Sequence, residues 1–224
     1  AATAFDPRQT GRTHNIRLAA ERIDGYVLWP GDEFSLNRAT GERTEETGYR
    51  EGTVIVEGEL ASGIGGGVSQ LASTLFNAAL AAGLELTEYH NHTLPVPYLP
   101  PGRDATVWYG SLDLRFVNTL SHPVVIHAVT GGDWVRVLVR SPQEVRQHVT
   151  VETQLVEEIP RPVEERLDPA LVPGERRLVD GGQTGQRFVI RQIVEEEGKG
   201  IVERRLEAFY PPKPQVWLVG PAPG

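Results

Sequence analysis

Gly65-Gly66-Gly67-Val68-Ser69-Gln70, continuing into Leu71-Ala72-Ser73-Thr74-Leu75-Phe76-Asn77-Ala78-Ala79-Leu80, constrains this chain more than any other stretch. A glycine-rich loop runs straight into an apolar helix. Three successive glycines cost backbone entropy on folding, so their presence points to tight geometry or to close approach of a neighbour. The spacing predicts a helix over residues 68–82 with Gly83 as its stop signal. It is apolar nearly all round, the mark of a helix buried on every side. Ser69 and Gln70 fall in its first turn, where unpaired N–H groups and the positive end of the dipole favour a developing negative charge. No Gly-Lys-Ser/Thr follows the glycines, which excludes a phosphate-binding P-loop.

The rest of the chain reads as two modules around and behind that helix. Ile16, Ala19, Ala20 and Ile23 recur at helical spacing over residues 12–24, and Gly25 ends that helix. Residues 1–11 read as an extended lead-in, residues 26–29 and 33–36 as short strands, and residues 37–52 as an exposed polar loop. Strands are expected at 84–92, at 106–109 and around Leu112, Leu114 and Phe116. A further pair at 122–129 and 134–139 is turned by Gly131-Gly132-Asp133, a strong hairpin signal. Residues 1–142 thus form an α+β domain, two helices packed on an antiparallel sheet. Residues 149–210 carry only strand-like runs between prolines and glycines and form a small, thin all-β domain. Residues 211–224 are a proline-rich, extended tail.

Composition removes several classes. The net charge is −8, so nucleic acid is not an expected partner. No run of about 18 apolar residues is present to span a membrane. Cysteine is absent, which excludes disulfides, thiolate metal sites and a cysteine nucleophile in the chain as it stands. No cofactor and no metal are expected, and a monomer is.

Chemistry centres on Ser69, a weak nucleophile unless a base lies beside it. His90 and His92 are two apart, so on a strand they share a face. Three readings stand for them. They are edge-strand surface histidines, or they grip zinc with Asp104 as a third ligand, or one is the general base for Ser69 with a carboxylate orienting it. Asp104 is the orienting candidate and Asp113 its rival. Gln70 and the backbone N–H groups around residues 67–69 are the candidate oxyanion donors.

Several blocks in one order resemble the VanW family: Arg12-Thr13-His14-Asn15-Ile16-Arg17-Leu18-Ala19-Ala20, Pro30-Gly31-Asp32-Glu33-Phe34-Ser35, Gly65 to Leu80, His92-Thr93-Leu94-Pro95-Val96 and Asp104-Ala105-Thr106-Val107. Residues from about 149 to 210 resemble a G5 domain. The resemblance implies a bacterial cell-envelope protein outside the cytoplasm, with peptidoglycan stem peptide and glycan as partners and a parent that is either free or membrane-anchored. Family members occur beside glycopeptide-resistance genes. Some are described as L,D-transpeptidases that attack a stem peptide through cysteine, release D-alanine and pass the acyl group to an amine. G5 modules are thought to hold wall glycan. On this resemblance residue 69 is the nucleophile, His92 rather than His90 the base, Asp104 the orienter and Gln70 an oxyanion helper. The family usually has cysteine where this chain has Ser69, so little turnover is expected. Deliberate replacement of that cysteine, to prepare an inert protein, is the preferred origin over a naturally changed homologue, and a serine codon in the native gene refutes it. The rival from another class is a non-catalytic peptidoglycan-binding module.

Overall fold

The structure, a computed structural model, describes residues 1–56, 59–143, 145, 147–196, 198 and 200–222, with Val56, Glu59 and Leu60 described by their backbone. Glu57-Gly58-Glu59 reads in the sequence as a turn after Val54-Ile55-Val56, and Glu57 and Gly58 lie outside those residues. In chain order the first region contains β1 (Ala2–Ala4), α1 (Thr10–Ile23), β2 (Tyr26–Leu28), β3 (Glu33–Ser35), α2 (Leu36–Thr40), β4 (Glu51–Val56), β5 (Glu59–Ile64), α3 (Val68–Ala81), β6 (Glu85–Glu88), β7 (Arg115–Val117), β8 (Val124–Thr130) and β9 (Trp134–Arg140). The second contains β10 (Gln147–Ile159), β11 (Val163–Leu167), β12 (Arg176–Asp180), β13 (Gly185–Glu196), β14 (Gly200–Tyr210) and β15 (Gln215–Val219).

The first region is the expected α+β arrangement. An antiparallel sheet in the order β1-β9-β8-β2 and a smaller one, β3-β7-β6, flank the helices, and β4 pairs with β5 as a separate hairpin. α3 buries Leu71, Leu75, Phe76, Leu80 and every alanine from Ala72 to Ala79. Ile16, Ala19, Ala20 and Ile23 of α1 join the same core. Left-handed glycines bracket α3, Gly67 at φ 106° before it and Gly83 at φ 71° after it, conformations that side chains with a Cβ resist. No helix among the described residues is long and apolar enough to cross a membrane.

The second region is all-β, as expected. β10-β13-β14 form one antiparallel sheet; β11-β15-β12 form another, in which β15 runs parallel to β11 and antiparallel to β12. The proline-rich stretch after residue 210 is extended and supplies β15, the middle strand of that sheet. Pro211, Pro212 and Pro214 precede the ladder, so they remove no donor from it.

Three local expectations are corrected. Residues 37–52 are not an open loop. Ser35 caps a short helix by accepting from Arg38 N–H at 3.1 Å, which also draws Leu36 out of the preceding strand, and Tyr49 is buried beneath the Arg22 guanidinium. Residues 106–109 form no strand, only one bridge from Trp108 to Leu112. Their backbone donors go elsewhere: Thr106 N–H to His90 O at 2.8 Å and Val107 N–H to Ser69 Oγ at 3.3 Å, while the preceding Ala105 N–H goes to Ser73 Oγ at 2.9 Å. The segment is thereby laid along α3 instead of entering a ladder. The strand at 84–92 stops at Glu88, after a bulge between Leu86 and Glu88.

Candidate functional site

The glycine loop, the first turn of α3 and residues 92–98 and 106–109 enclose a cavity of about 1090 Å³, and Ser69, Gln70 and His92 all line it. Ser69 is half-buried. Its Oγ lies 3.4 Å from Thr106 Oγ1 and accepts from Val107 N–H. Among the described residues no hydrogen bond joins it to His92. The Ser69 N–H has no backbone acceptor among them either, so this helix terminus keeps an open donor.

His92 and Asp104 form a buried pair. Asp104 Oδ2 accepts from His92 Nδ1 at 2.7 Å and from the His92 backbone N–H at 2.8 Å. An ionised carboxylate only accepts, so it holds an imidazole proton on Nδ1, and in the neutral tautomer that this fixes Nε2 presents its lone pair. The other oxygen, Oδ1, accepts from the Tyr210 hydroxyl, which in turn accepts from Gly102 N–H at 2.7 Å. Asp104 is therefore held by three donors and is fully buried. Burial, with the Asp104 charge adding to it, pushes the Tyr210 phenol far above its ordinary range.

The remaining predicted residues separate. His90 is turned to Glu88, with Nε2 3.2 Å from Oε1, and does not line the cavity, so it is not a base for Ser69. Gln70 is buried, and its amide nitrogen donates to Thr3 Oγ1 at 3.0 Å and Ala4 O at 2.7 Å. Both amide protons are thus committed, which corrects its reading as an oxyanion helper; its Oε1 accepts instead from Arg12 Nη2 at 2.5 Å. Asp113 accepts from Ser35 Oγ, Asn37 N–H and Arg115 Nε and serves the start of α2. For the zinc alternative, no three histidine or acidic side chains gather among the described residues.

Sequence reasoning missed four participants. Tyr210 comes from β14 in the second region, 106 residues beyond Asp104, and no local pattern marks it. Arg12 and Arg43 also line the cavity; Arg12 lay inside a quoted motif but reads as helix surface, and Arg43 sits in a polar run. Tyr98 closes one wall, its phenol pushed up to about 12 mainly by burial.

Comparison with known proteins gives a consistent assignment. The family described as VanW like protein matches residues 11–140, and the G5 domain matches residues 149–222. The uncharacterized protein YoaR of Bacillus subtilis (strain 168) is 47% identical over 130 residues, 58% of this chain and 43% of that protein. The vancomycin B-type resistance protein VanW of Enterococcus faecalis (strain ATCC 700802 / V583) is 31% identical over 122 residues, 52% of this chain and 44% of its own. The alignments thus cover less than half of either relative. Among solved structures, an IgA1 protease G5 domain is 18% identical with a TM-score of 0.29, covering 37% of this chain and 98% of its own. The HP0197 G5 domain is 25% identical with a TM-score of 0.20, covering 33% and 99%.

Proposed function

We propose, from the premise that this chain belongs to the VanW-like protein family and carries a G5 domain behind that region, that its cavity is an acyl-transfer site for peptidoglycan stem peptides in the cell envelope. One observation carries the reading: a buried His92–Asp104 pair shares a cavity with residue 69 at the tip of α3. Residue 69 attacks the carbonyl carbon, and its proton passes to His92 Nε2. The departing amine takes that proton as its bond to carbon breaks, leaving the acyl group on residue 69 for an acceptor amine or water. The Ser69 N–H at the helix terminus is the donor available to the oxyanion. Asp104 fixes the tautomer and stabilises the imidazolium.

Serine at position 69 weakens this chemistry. A thiol has a pKa near about 8.5, lowered further at a helix N-terminus, and supplies a thiolate readily; a hydroxyl does not. The G5 domain concentrates the site on wall glycan, raising its effective concentration near stem peptides. The test is Ser69→Cys incubated with a synthetic tetrapeptide stem ending in D-alanine. A thioester adduct in the intact-protein mass, lost on further substitution His92→Ala, is the expected result. A second reading, a binding module without turnover, is favoured by the engagement of Ser69 Oγ with Thr106 and Val107 in place of His92. Unchanged mass with retained binding to isolated sacculi supports that reading against the first.

A further inference from the structure

The three glycines make room for two arginines and a strand. A Cβ on Gly65 would meet Arg43 Cγ at 2.7 Å, and one on Gly67 would meet Arg12 Cγ at 2.8 Å and Arg12 O at 2.9 Å. On Gly66 it would strike the Gly52 and Thr53 backbone of β4 at 2.4–2.7 Å. The loop is thus bare where two arginine stems pass beside it, and both residues line the cavity.

These two guanidinium groups differ from the surface arginines of the chain. Arg8, Arg115, Arg187 and Arg191 each meet a carboxylate. Arg12 donates to the neutral Gln70 Oε1, and Arg43 donates from Nη1 to the neutral Asn37 Oδ1 at 2.7 Å. Among the described residues no carboxylate pairs with either. Arg43 Nη2 is buried with no partner at all. Each group also lies over a cavity tyrosine, Arg12 over Tyr98 at 5.9 Å and Arg43 over Tyr109 at 5.8 Å. Burial lowers the pKa of both from the ordinary arginine value, yet arginine keeps its proton in proteins. Asp6 and Glu42 also line the cavity; Asp6 is committed to Arg8, and Glu42 is exposed. Asp113 acts on Arg43 only through space, its oxygens being taken by Ser35, Asn37, Leu114 and Arg115; a desolvated cation with no carboxylate bonded to it is costly unless something arrives to meet it.

We propose that this cavity takes a short peptide carrying at least two free carboxylates, received by Arg12 and Arg43. The planar fork of each guanidinium suits one carboxylate, and about 1090 Å³ accommodates several residues rather than a single amino acid. The proposal rests on the acyl-transfer reading for the identity of that peptide as a wall stem, and it explains why the glycines stand immediately before residue 69.

The unaltered chain is titrated calorimetrically with the tetrapeptide stem in two forms, one with free carboxylates and one with each converted to a carboxamide. The amidated form is expected to bind about 10-fold more weakly or worse, a typical loss for charge-assisted hydrogen bonds. Arg12→Gln and Arg43→Gln each weaken the free acid by about 10-fold and leave the amidated form unchanged. Equal binding of the two forms, binding of neither, or full affinity in both variants overturns the proposal. Should a variant fail to fold, the two peptides on the unaltered chain still decide. If Ser69→Cys binds the free acid tightly and forms no adduct, the acyl-transfer reading falls while the carboxylate site stands.

Discussion

The two regions of this molecule obtain their stability in different ways. The first is built round α3, a helix buried on nearly every side, with Leu71, Leu75, Phe76 and Leu80 sealed from solvent. The second presents most of its side chains to water; β12 is exposed at all five positions. Its outer faces carry charge ladders, Arg187 between Glu157 and Glu207 and Arg191 between Glu152 and Glu203, contacts that stabilise little when exposed. Of the apolar side chains the second region buries, Ile190, Ala208 and Tyr210 belong to the same core as α3, and Val189, Val194 and Val216 lie outside it. Polar contacts follow the same seam. Gln192 Nε2 donates to Leu80 O and Leu84 O, and Arg204 Nη1 donates to Gly83 O, at 2.9–3.1 Å. The lesson is that the second region has a seam where the first has a centre.

The sharpest way to break this contrast is to cut side chains on either side of it. Leu75→Ala is expected to lose about 2–5 kcal/mol by transfer and cavity terms, whereas Val179→Ala on exposed β12 stays within about 0.5 kcal/mol. Urea unfolding of both variants measures the difference, and comparable losses would remove the distinction. Tyr210→Phe tests the seam. It leaves Gly102 N–H and Asp104 Oδ1 each short of a partner, a loss of about 1–3 kcal/mol. In the Ser69→Cys background it also slows adduct formation without changing peptide affinity, an effect that a purely structural tyrosine would not produce.

Alkali probes the seam next. Burial raises Tyr89, Tyr98 and Tyr210 above the ordinary phenol value, Tyr98 to about 12. Between pH 10 and pH 12 the unfolded chain has released the Tyr98 proton that the folded chain keeps. Its stabilising contribution is complete below pH 10 and is lost as the pH climbs through that window. The urea midpoint should fall there, and Tyr98→Phe should flatten the fall; an equal slope in the variant argues against the assignment. The smallest effect is expected from Arg191→Gln, an exposed ladder residue, with no resolvable change in the midpoint at physiological salt.

Much of the architecture was legible locally. The helix at 68–81 could be read from its glycine brackets and apolar run, and the β8–β9 hairpin from Gly131-Gly132-Asp133. α2 escaped notice because its single turn, capped by Ser35, is hidden in a polar run that carries no apolar period. Residues 106–109 alternate like a strand, but Thr106 and Val107 give their N–H groups to His90 O and Ser69 Oγ, a tertiary choice that alternation does not encode. In the site, spacing alone could not separate His90 from His92 or Asp104 from Asp113; motif resemblance favoured His92 and Asp104, and those two are the ones that hydrogen-bond to each other. Gln70 sat where an oxyanion donor belongs, yet Thr3 and Ala4 arrive from the far end of the chain to occupy its amide. Tyr210 was illegible because its meaning arises only when β14 is laid against Gly102 and Asp104.

The hydroxyl of Tyr210 sets a condition on any graft. A designer who exchanges the outer module for one from a relative cannot cut at residue 142 and treat the joint as a tether of suitable length. The incoming module must bring a phenol for Asp104, an amide for the end of α3 and a guanidinium for Gly83, in register, or the chimera will lose the alignment of its imidazole.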